Sequence, residues 1–506
     1  MSHKCPKIVH AYWDYLLAGR TCVRISVFCR SDRIATARSV CSAHQHFPSP
    51  EEKRMARSHA SSATRREFLQ RSSSLVAGSA VLGGLARSVH AGEDNTIRLA
   101  LIGCGGRGSG AVRDALSVPD SGPVKLYTVA DLSEAKIGQS LKALQKQFEA
   151  KIDVPEDRKF VGFDAYRKAI DLLRPGDIAM CTTRAYIRPV HVEYAVKKGI
   201  NVFMEKPFAS DPGGLHRLLQ AGEEAQKKNV KIAAGLQCRH SPARKALLDQ
   251  IRSGAMGDIT LIRANRLGGA GWLNDQKEKA NNFMDQLQFG RIHLYWLGSG
   301  HMVDYLIHQI DECCWIKDAW PVEALGFGGR VPGSEDRGQN LDVYSIEYTF
   351  ADGTKAFCGF RRINKTRSDF ATYIHGTKCA AQFSGNVHAA TVHRFKDQRI
   401  DKDNIAWTPT PDAVSPWQYE WNDFIASIRQ DRPHNECKRA VYSDLTTLMG
   451  RAACHTGQAV TWDDMMKSRF QFCDYLDKLS EQSPPPVKAD ENGQFPVPVP
   501  GKWQEI

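Results

Sequence analysis

The chain has 506 residues, 42% of them hydrophobic and 25% charged, which is globular composition with room for two domains, each with its own core. Its formal charge of +12 suggests a nucleic-acid or acidic-surface partner, but residues 1–91 carry 14 Lys and Arg against five acids, so +9 of the excess lies in this leader. The remaining 415 residues hold only +3 and no basic patch interleaved with aromatics, which excludes nucleic acid as the expected partner.

Residues 1–54 show scattered Arg, four Cys and no sustained periodicity, and are expected to be disordered or to lie upstream of a true start at Met55. Residues 55–91 read as an export signal. Thr64-Arg65-Arg66-Glu67-Phe68-Leu69 precedes an uncharged stretch, Leu75–Ala86, and Val89-His90-Ala91 offers small residues for cleavage after Ala91. The paired arginines resemble a twin-arginine signal. The apolar stretch is 12 residues long, short of the roughly 20 that span a bilayer, so the expectation is a cleaved signal, a periplasmic protein and no stable membrane anchor. Ten of the 14 cysteines follow Ala91 without regular spacing, which predicts neither a disulfide framework nor a paired-cysteine metal site.

From Thr96 short apolar runs alternate with helical stretches. Strands are predicted at Ile97–Ile102, Val124–Ala130, Asp177–Thr182, Asn201–Glu205 and Val230–Ala234, with helices between them. This alternation predicts an α/β, Rossmann-type, doubly wound parallel sheet over residues 96–234. The turn after the first strand reads Gly103-Cys104-Gly105-Gly106-Arg107-Gly108, and Asp131 stands 23 residues past Gly108. Glycines there let the backbone approach a pyrophosphate, whose charge a helix N-terminus holds, while Asp131 accepts from ribose hydroxyls. A carboxylate repels a 2′-phosphate, so NAD is expected over NADP; Arg107 nearby leaves NADP possible. Glu205-Lys206-Pro207 closes a strand whose carboxyl end should face the ligand crevice. Pro207 keeps Lys206 extended and admits a cis peptide bond.

The order of these segments, with Thr182-Thr183 and His191, resembles the glucose-fructose oxidoreductase/inositol dehydrogenase/MocA (Gfo/Idh/MocA) family. The likeness continues through Gly235-Leu236-Gln237-Cys238-Arg239-His240-Ser241-Pro242, Asp304-x-x-x-His308 and Gly457-Gln458-Ala459-Val460-Thr461-Trp462, and spans about residues 96–470. It implies an NAD(P)-dependent oxidoreductase, with Thr182, Thr183, His191, Glu205, Lys206 and Gln237 joining the glycine turn and Asp131 at the cofactor. Residues 300–316 are predicted to be a helix, which puts Asp304 and His308 on one face. A carboxylate beside an imidazole would orient it and favour its protonated form. The resemblance implies that a sugar or polyol carbinol gives hydride to the cofactor, that His308 takes the hydroxyl proton, and that Lys206 steadies the alkoxide. Asp304 would hold His308 or a neighbouring substrate hydroxyl. Outside the cytoplasm, where free NAD is scarce, a tightly held cofactor cycled by a second sugar is expected.

Residues 235–480 are predicted to form an α+β domain around a large, open, mostly antiparallel sheet. Its strands are expected at Ile259–Asn265, Val322–Gly328, Tyr344–Phe350, Lys355–Phe360, Ala371–Gly376 and Ala380–Ser384. In the resembled family this sheet mediates oligomers, so a homodimer or homotetramer is expected. The Gly-, Asn- and aromatic-rich stretch Asn265–Gly300 is expected to bind the polyol; Asn282, Arg291, Tyr295 and Trp296 are candidate contacts, with Arg239. The Pro-rich residues 481–506 should form an extended arm. Three other readings stay open: an NAD-dependent glycoside hydrolase on the same fold, a non-catalytic sugar-binding relative, and a metal enzyme using His301, Asp304 and His308. The last lacks an HExxH pattern, and no residue is assigned to a metal.

Overall fold

The computed structural model describes residues 95–269, 282–334, 336–383 and 391–506. The expectations for residues 1–54 and for the leader to Ala91 lie outside these residues. Six parallel strands form the first sheet: β1 Ile97–Ile102, β2 Val124–Asp131, β3 Lys159–Val161, β4 Ile178–Cys181, β5 Asn201–Met204 and β6 Ile232–Ala234, in the order β3-β2-β1-β4-β5-β6. β4, β5 and β6 are buried at every position, as strands covered on both faces must be, and this is why they read as unbroken apolar runs. One face is covered by α1 Gly106–Leu116 and α2 Glu134–Phe148, the other by α3 Ala165–Asp171, α4 Arg188–Lys197 and α5 Pro212–Lys227. β3 was not anticipated: three half-exposed residues at a sheet edge carry too short a pattern to read.

The second sheet has nine strands. They are β7 Ile259–Gly268, β8 Glu323–Gly329, β9 Val343–Thr349, β10 Lys355–Arg362, β11 Asp369–Gly376, β12 Ala380–Phe383, β13 His393–Phe395, β14 Ile405–Trp407 and β15 Val460–Thr461, in the order β14-β13-β12-β11-β7-β10-β9-β8-β15. All neighbours are antiparallel except β7 and β10. Along β9 exposure alternates strictly, with Tyr344, Ile346 and Tyr348 pointing inward under α9 Cys437–Thr456; Tyr348 Oη donates to Thr446 O at 2.9 Å. α7 His301–Lys317 lies between this sheet and the first, buried at 14 of its 17 positions, which explains an apolar pattern too broad for a surface helix. Among the described residues no helix is long and apolar enough to cross a membrane.

One segment crosses the expected boundary at residue 234. α8 Pro416–Arg429 returns to the first sheet, where Trp421, Phe424 and Ile425 pack with Leu101, Val112 and Phe203, and Gln418 Nε2 donates to Asp114 O. The C-terminal arm packs on the body of its own chain. Glu505 is fully buried, bonded to Arg451 Nε at 3.2 Å, His455 Nδ1 at 3.0 Å and Trp503 Nε1 at 3.0 Å. Burial alone would raise the pKa of its carboxyl, but the Arg451 charge and these hydrogen bonds hold it down to about 2. Because the folded pKa is depressed, its stabilisation is complete above the usual carboxylate range and is lost as pH falls through that range towards about 2. Glu505→Ala should therefore cost on the order of 3 kcal/mol near pH 7. Thermal melts of the two proteins should converge as the pH approaches 2, and a constant gap would disprove the linkage.

Candidate active site

The two sheets and α7 enclose a cleft of about 980 Å³. It opens where β1 and β4 lie side by side and their crossovers leave in opposite directions, the switch point at which doubly wound sheets hold ligands. The glycine turn forms one wall. Gly103 takes φ +100°, and a Cβ there would lie 2.7 Å from Thr183 N; a Cβ on Gly108 would lie 2.2 Å from Gly103 O and 2.6 Å from Thr182 Oγ1. These two glycines are needed for backbone packing. Gly105 and Gly106 differ: they line the cleft and nothing stands within 4 Å of where their Cβ atoms would be. The N-terminus of α1 has no side-chain cap and opens on the same space.

Asp131 closes β2 at the cleft. Its Oδ2 accepts from Cys104 N at 2.7 Å and its Oδ1 from Ser133 N at 2.9 Å, two of about four acceptor positions on a carboxylate. Thr182 Oγ1 donates to Gly103 O at 2.8 Å and so ties the end of β4 to the turn. Thr183 Oγ1 lies 3.3 Å from His191 Nδ1. Burial, with Arg188 adding to it, pushes His191 down to about 3, so this ring is neutral. Gln237 is 1% exposed, lines the cleft, and leaves its Nε2 without a partner among the described residues. Arg107 is engaged elsewhere: Nε pairs with Glu205 Oε1 at 2.8 Å and Nη2 with Asp114 Oδ2 at 2.9 Å. It thus anchors Glu205 and leaves Asp131 as the charge beside the turn.

The Lys206–Pro207 peptide, which also lines the cleft, is cis. Lys206 Nζ reaches across to α7 and pairs with Asp304 Oδ1 at 3.0 Å, while also donating to the Asp304 carbonyl. His308 lines the cleft one turn on; burial and the charge of Lys206 hold its pKa well below the usual value. This corrects the expected Asp304–His308 pair. The carboxylate is taken by the lysine, so the imidazole is left neutral and its Nδ1 has no partner among the described residues.

The proposed sugar contacts need more correction. Tyr295 is fully buried, bonded to Gln339, Tyr344 and His455, and Trp296 donates to Gln286 Oε1 at 2.8 Å; both belong to the core. Asn282 caps a short turn through Asp285 N. Arg291 has φ +41°, and neither it nor Asn282 lines the cleft. Arg239 grips Asp311 with Nε at 2.9 Å and Nη2 at 2.8 Å, fixing α7. Residues 270–281 of the expected polyol loop lie outside the described residues; the wall nearby is formed by Met284, Leu287, Gln288, Ile292, Leu297 and Gly298.

Several residues were missed. Arg184, Arg266 and Tyr305 line the cleft near Asp304, and Arg266 and Arg362 lie 5.5 and 4.8 Å from the Tyr305 ring centre. Burial lowers the pKa of both arginines, and each adds to Tyr305 a donor-rich, acceptor-poor surface. A cation at Arg266, continuing the inward-facing set Ile262 and Ala264 of β7, was the available signal. Arg188 holds the carbonyls of Cys181, Thr183 and Pro207, and Asp444 accepts from Phe208 N at 2.7 Å; together they position the Lys206 loop from behind.

A doubly wound sheet joined to an open, mostly antiparallel sheet is the architecture of Gfo/Idh/MocA-type dehydrogenases. No family model matches the chain. Rhizopine catabolism protein MocA of Rhizobium meliloti is 22% identical over 359 residues, 69% of this chain and 92% of that protein. Aldose-aldose oxidoreductase from Caulobacter crescentus, solved with glycerol, superimposes with a TM-score of 0.57 at 15% identity over 72% of this chain and 100% of its own. Scyllo-inositol dehydrogenase from Lactobacillus casei, solved with NAD(H) and scyllo-inositol, gives a TM-score of 0.54 at 18% identity over 72% and 99%. Myo-inositol 2-dehydrogenase from Lactobacillus plantarum gives 0.55 at 17% identity over 72% and 99%.

Proposed function

We propose that this protein is an NAD-dependent oxidoreductase that removes hydride from a carbinol carbon of a sugar or polyol. The observation carrying the reading is the convergence of a glycine turn and a lysine–carboxylate–imidazole group on one cleft. The residues present fit a dinucleotide. Gly105 and Gly106 leave a side-chain-free cradle at the uncapped start of α1, Asp131 keeps acceptor positions for a ribose diol, and Gln237 offers a buried Nε2 donor without a partner among the described residues. Asp131 disfavours a 2′-phosphate, and with Arg107 occupied by two carboxylates NAD is preferred over NADP.

A bound nicotinamide supplies a two-electron hydride acceptor. The chain's own groups manage the proton and the oxygen. His308, neutral at physiological pH, accepts the hydroxyl proton. Lys206 donates to the same oxygen as negative charge develops, and Asp304 positions the ammonium from α7. Arg184, Arg266 and Tyr305 offer hydrogen bonds to the remaining substrate oxygens. The inositols, glycerol and aldose pair for which these relatives are named or with which they were solved agree with an oxygen-rich substrate.

The same reading includes export through the twin-arginine route with cleavage near Ala91, and assembly into a homo-oligomer. Leu325 and Phe327 of β8 and Phe357 of β10 are 45%, 75% and 42% exposed on one face of the second sheet, either side of Glu347 of β9, and such exposed apolar side chains suit contact with a second copy. The decisive experiment is to denature the purified protein and identify the nucleotide released, then to follow its redox state with aldoses and polyols offered singly and in pairs. Bound NAD that one sugar reduces and a second reoxidises is expected. Absence of nucleotide binding, or aglycone release from a glycoside without net redox change, would overturn the reading.

A further inference from the structure

Behind the cleft wall, three chain segments that meet only in the folded protein bring two imidazoles and a carboxylate together. His293 precedes the short turn Tyr295–Gly298, His301 opens α7, and Asp336 lies in the loop between β8 and β9. They are 4%, 3% and 3% exposed, and their potential ligand atoms all lie within 4.8 Å of one another. None of the three lines the cleft. We propose that His293, His301 and Asp336 bind one divalent transition-metal ion of the zinc class, which clamps the loop between β8 and β9 onto the first turn of α7.

His293 Nδ1 stands 3.5 Å from Asp336 Oδ1, long for a hydrogen bond. It matches the edge, about 3.4 Å, of a tetrahedron whose metal–ligand bonds are about 2.0–2.1 Å. A purely hydrogen-bonded cluster would satisfy each ring, yet His301 Nε2 is buried without a partner among the described residues. The carboxylate is oriented from behind: Asp336 Oδ1 accepts from Gly338 N at 2.7 Å and Oδ2 from Asn340 Nδ2 at 3.2 Å. Asn340 Oδ1 in turn accepts from His301 N at 2.8 Å, so one side chain sets both the loop and the helix start. Such second-layer bonding is what metal ligands require. The set differs from the one-helix triple His301, Asp304 and His308, because Asp304 is held by Lys206. Three protein ligands leave a fourth position for water, and the next turn of the clamped helix carries Asp304.

The test uses the untagged full chain, purified from zinc-supplemented medium. Elemental analysis should find one zinc per chain after gel filtration, and the chelator-stripped protein should bind one Co²⁺ with the ligand-field bands of a tetrahedral site. His301→Ala should lose metal affinity by more than about tenfold. Asp304→Asn should keep its full equivalent. Should His301→Ala not fold, the cobalt titration of the unsubstituted protein decides alone. A folded protein that holds far less than one equivalent and gives no tetrahedral cobalt spectrum overturns the proposal, as does full metal content in folded His301→Ala.

Discussion

Lys206→Ala is expected to lower kcat by about a thousandfold while nucleotide stays bound. The ammonium spans from the Lys206–Pro207 turn to α7, where it meets Asp304 at 3.0 Å. Its loss removes the charge that steadies a developing alkoxide, while the glycine turn keeps its own packing against Thr182 and Thr183. The measurement is kcat with sugar beside nucleotide content after denaturation. Activity within tenfold of the unsubstituted rate would remove Lys206 from the chemistry. His308→Asn gives the complementary result. Since burial and Lys206 hold the imidazole well below its usual pKa, it is unprotonated across neutral pH, and protonation should inhibit only on the acid side of that usual value. An acid limb surviving unchanged in His308→Asn would mean that another group takes the proton.

The second large effect separates a packing glycine from a ligand-facing one. In Gly108→Ala the new Cβ meets Gly103 O at 2.2 Å and Thr182 Oγ1 at 2.6 Å, atoms of the turn itself that cannot yield without opening it. We expect a loss of about 1–3 kcal/mol of stability and of at least about a hundredfold in NAD affinity. Gly105→Ala meets nothing within 4 Å, so melting should be unchanged while NAD binding weakens, because the methyl group occupies cleft space. Calorimetric titration with NAD and thermal melts of both variants settle the matter. Unchanged NAD affinity in Gly105→Ala would place the dinucleotide elsewhere.

What was readable before folding and what was not divide by range. The central strands of the first sheet were legible because burial on both faces demands consecutive apolar residues. Strands β7 to β12 were legible because one covered face imposes alternation. The short strands β3, β13, β14 and β15 carry two or three residues each, too few for either pattern. α8 was assigned to the second domain by its place in the chain, yet Trp421 and Phe424 make it part of the first core. Tyr295 and Trp296 looked like sugar platforms because an aromatic with a polar handle has the same composition whether its partner is a ligand or, as here, Gln339 and Gln286.

The sequence by itself determined the parallel sheet, the glycine turn with Asp131 at the end of the next strand, and the helix that puts Asp304 and His308 on one face. Each of these follows from spacing within one or two elements. Only the tertiary structure decided that Asp304 pairs with Lys206, 98 residues away, that Arg239 anchors a helix while Arg266 lines the cleft, and that His293, His301 and Asp336 meet. Hydrophobic periodicity is imposed by the local backbone repeat and is written along the chain. The partner of a buried charge is chosen by which elements pack together, and a desolvated charge takes the nearest opposite charge in space, whatever its distance in sequence.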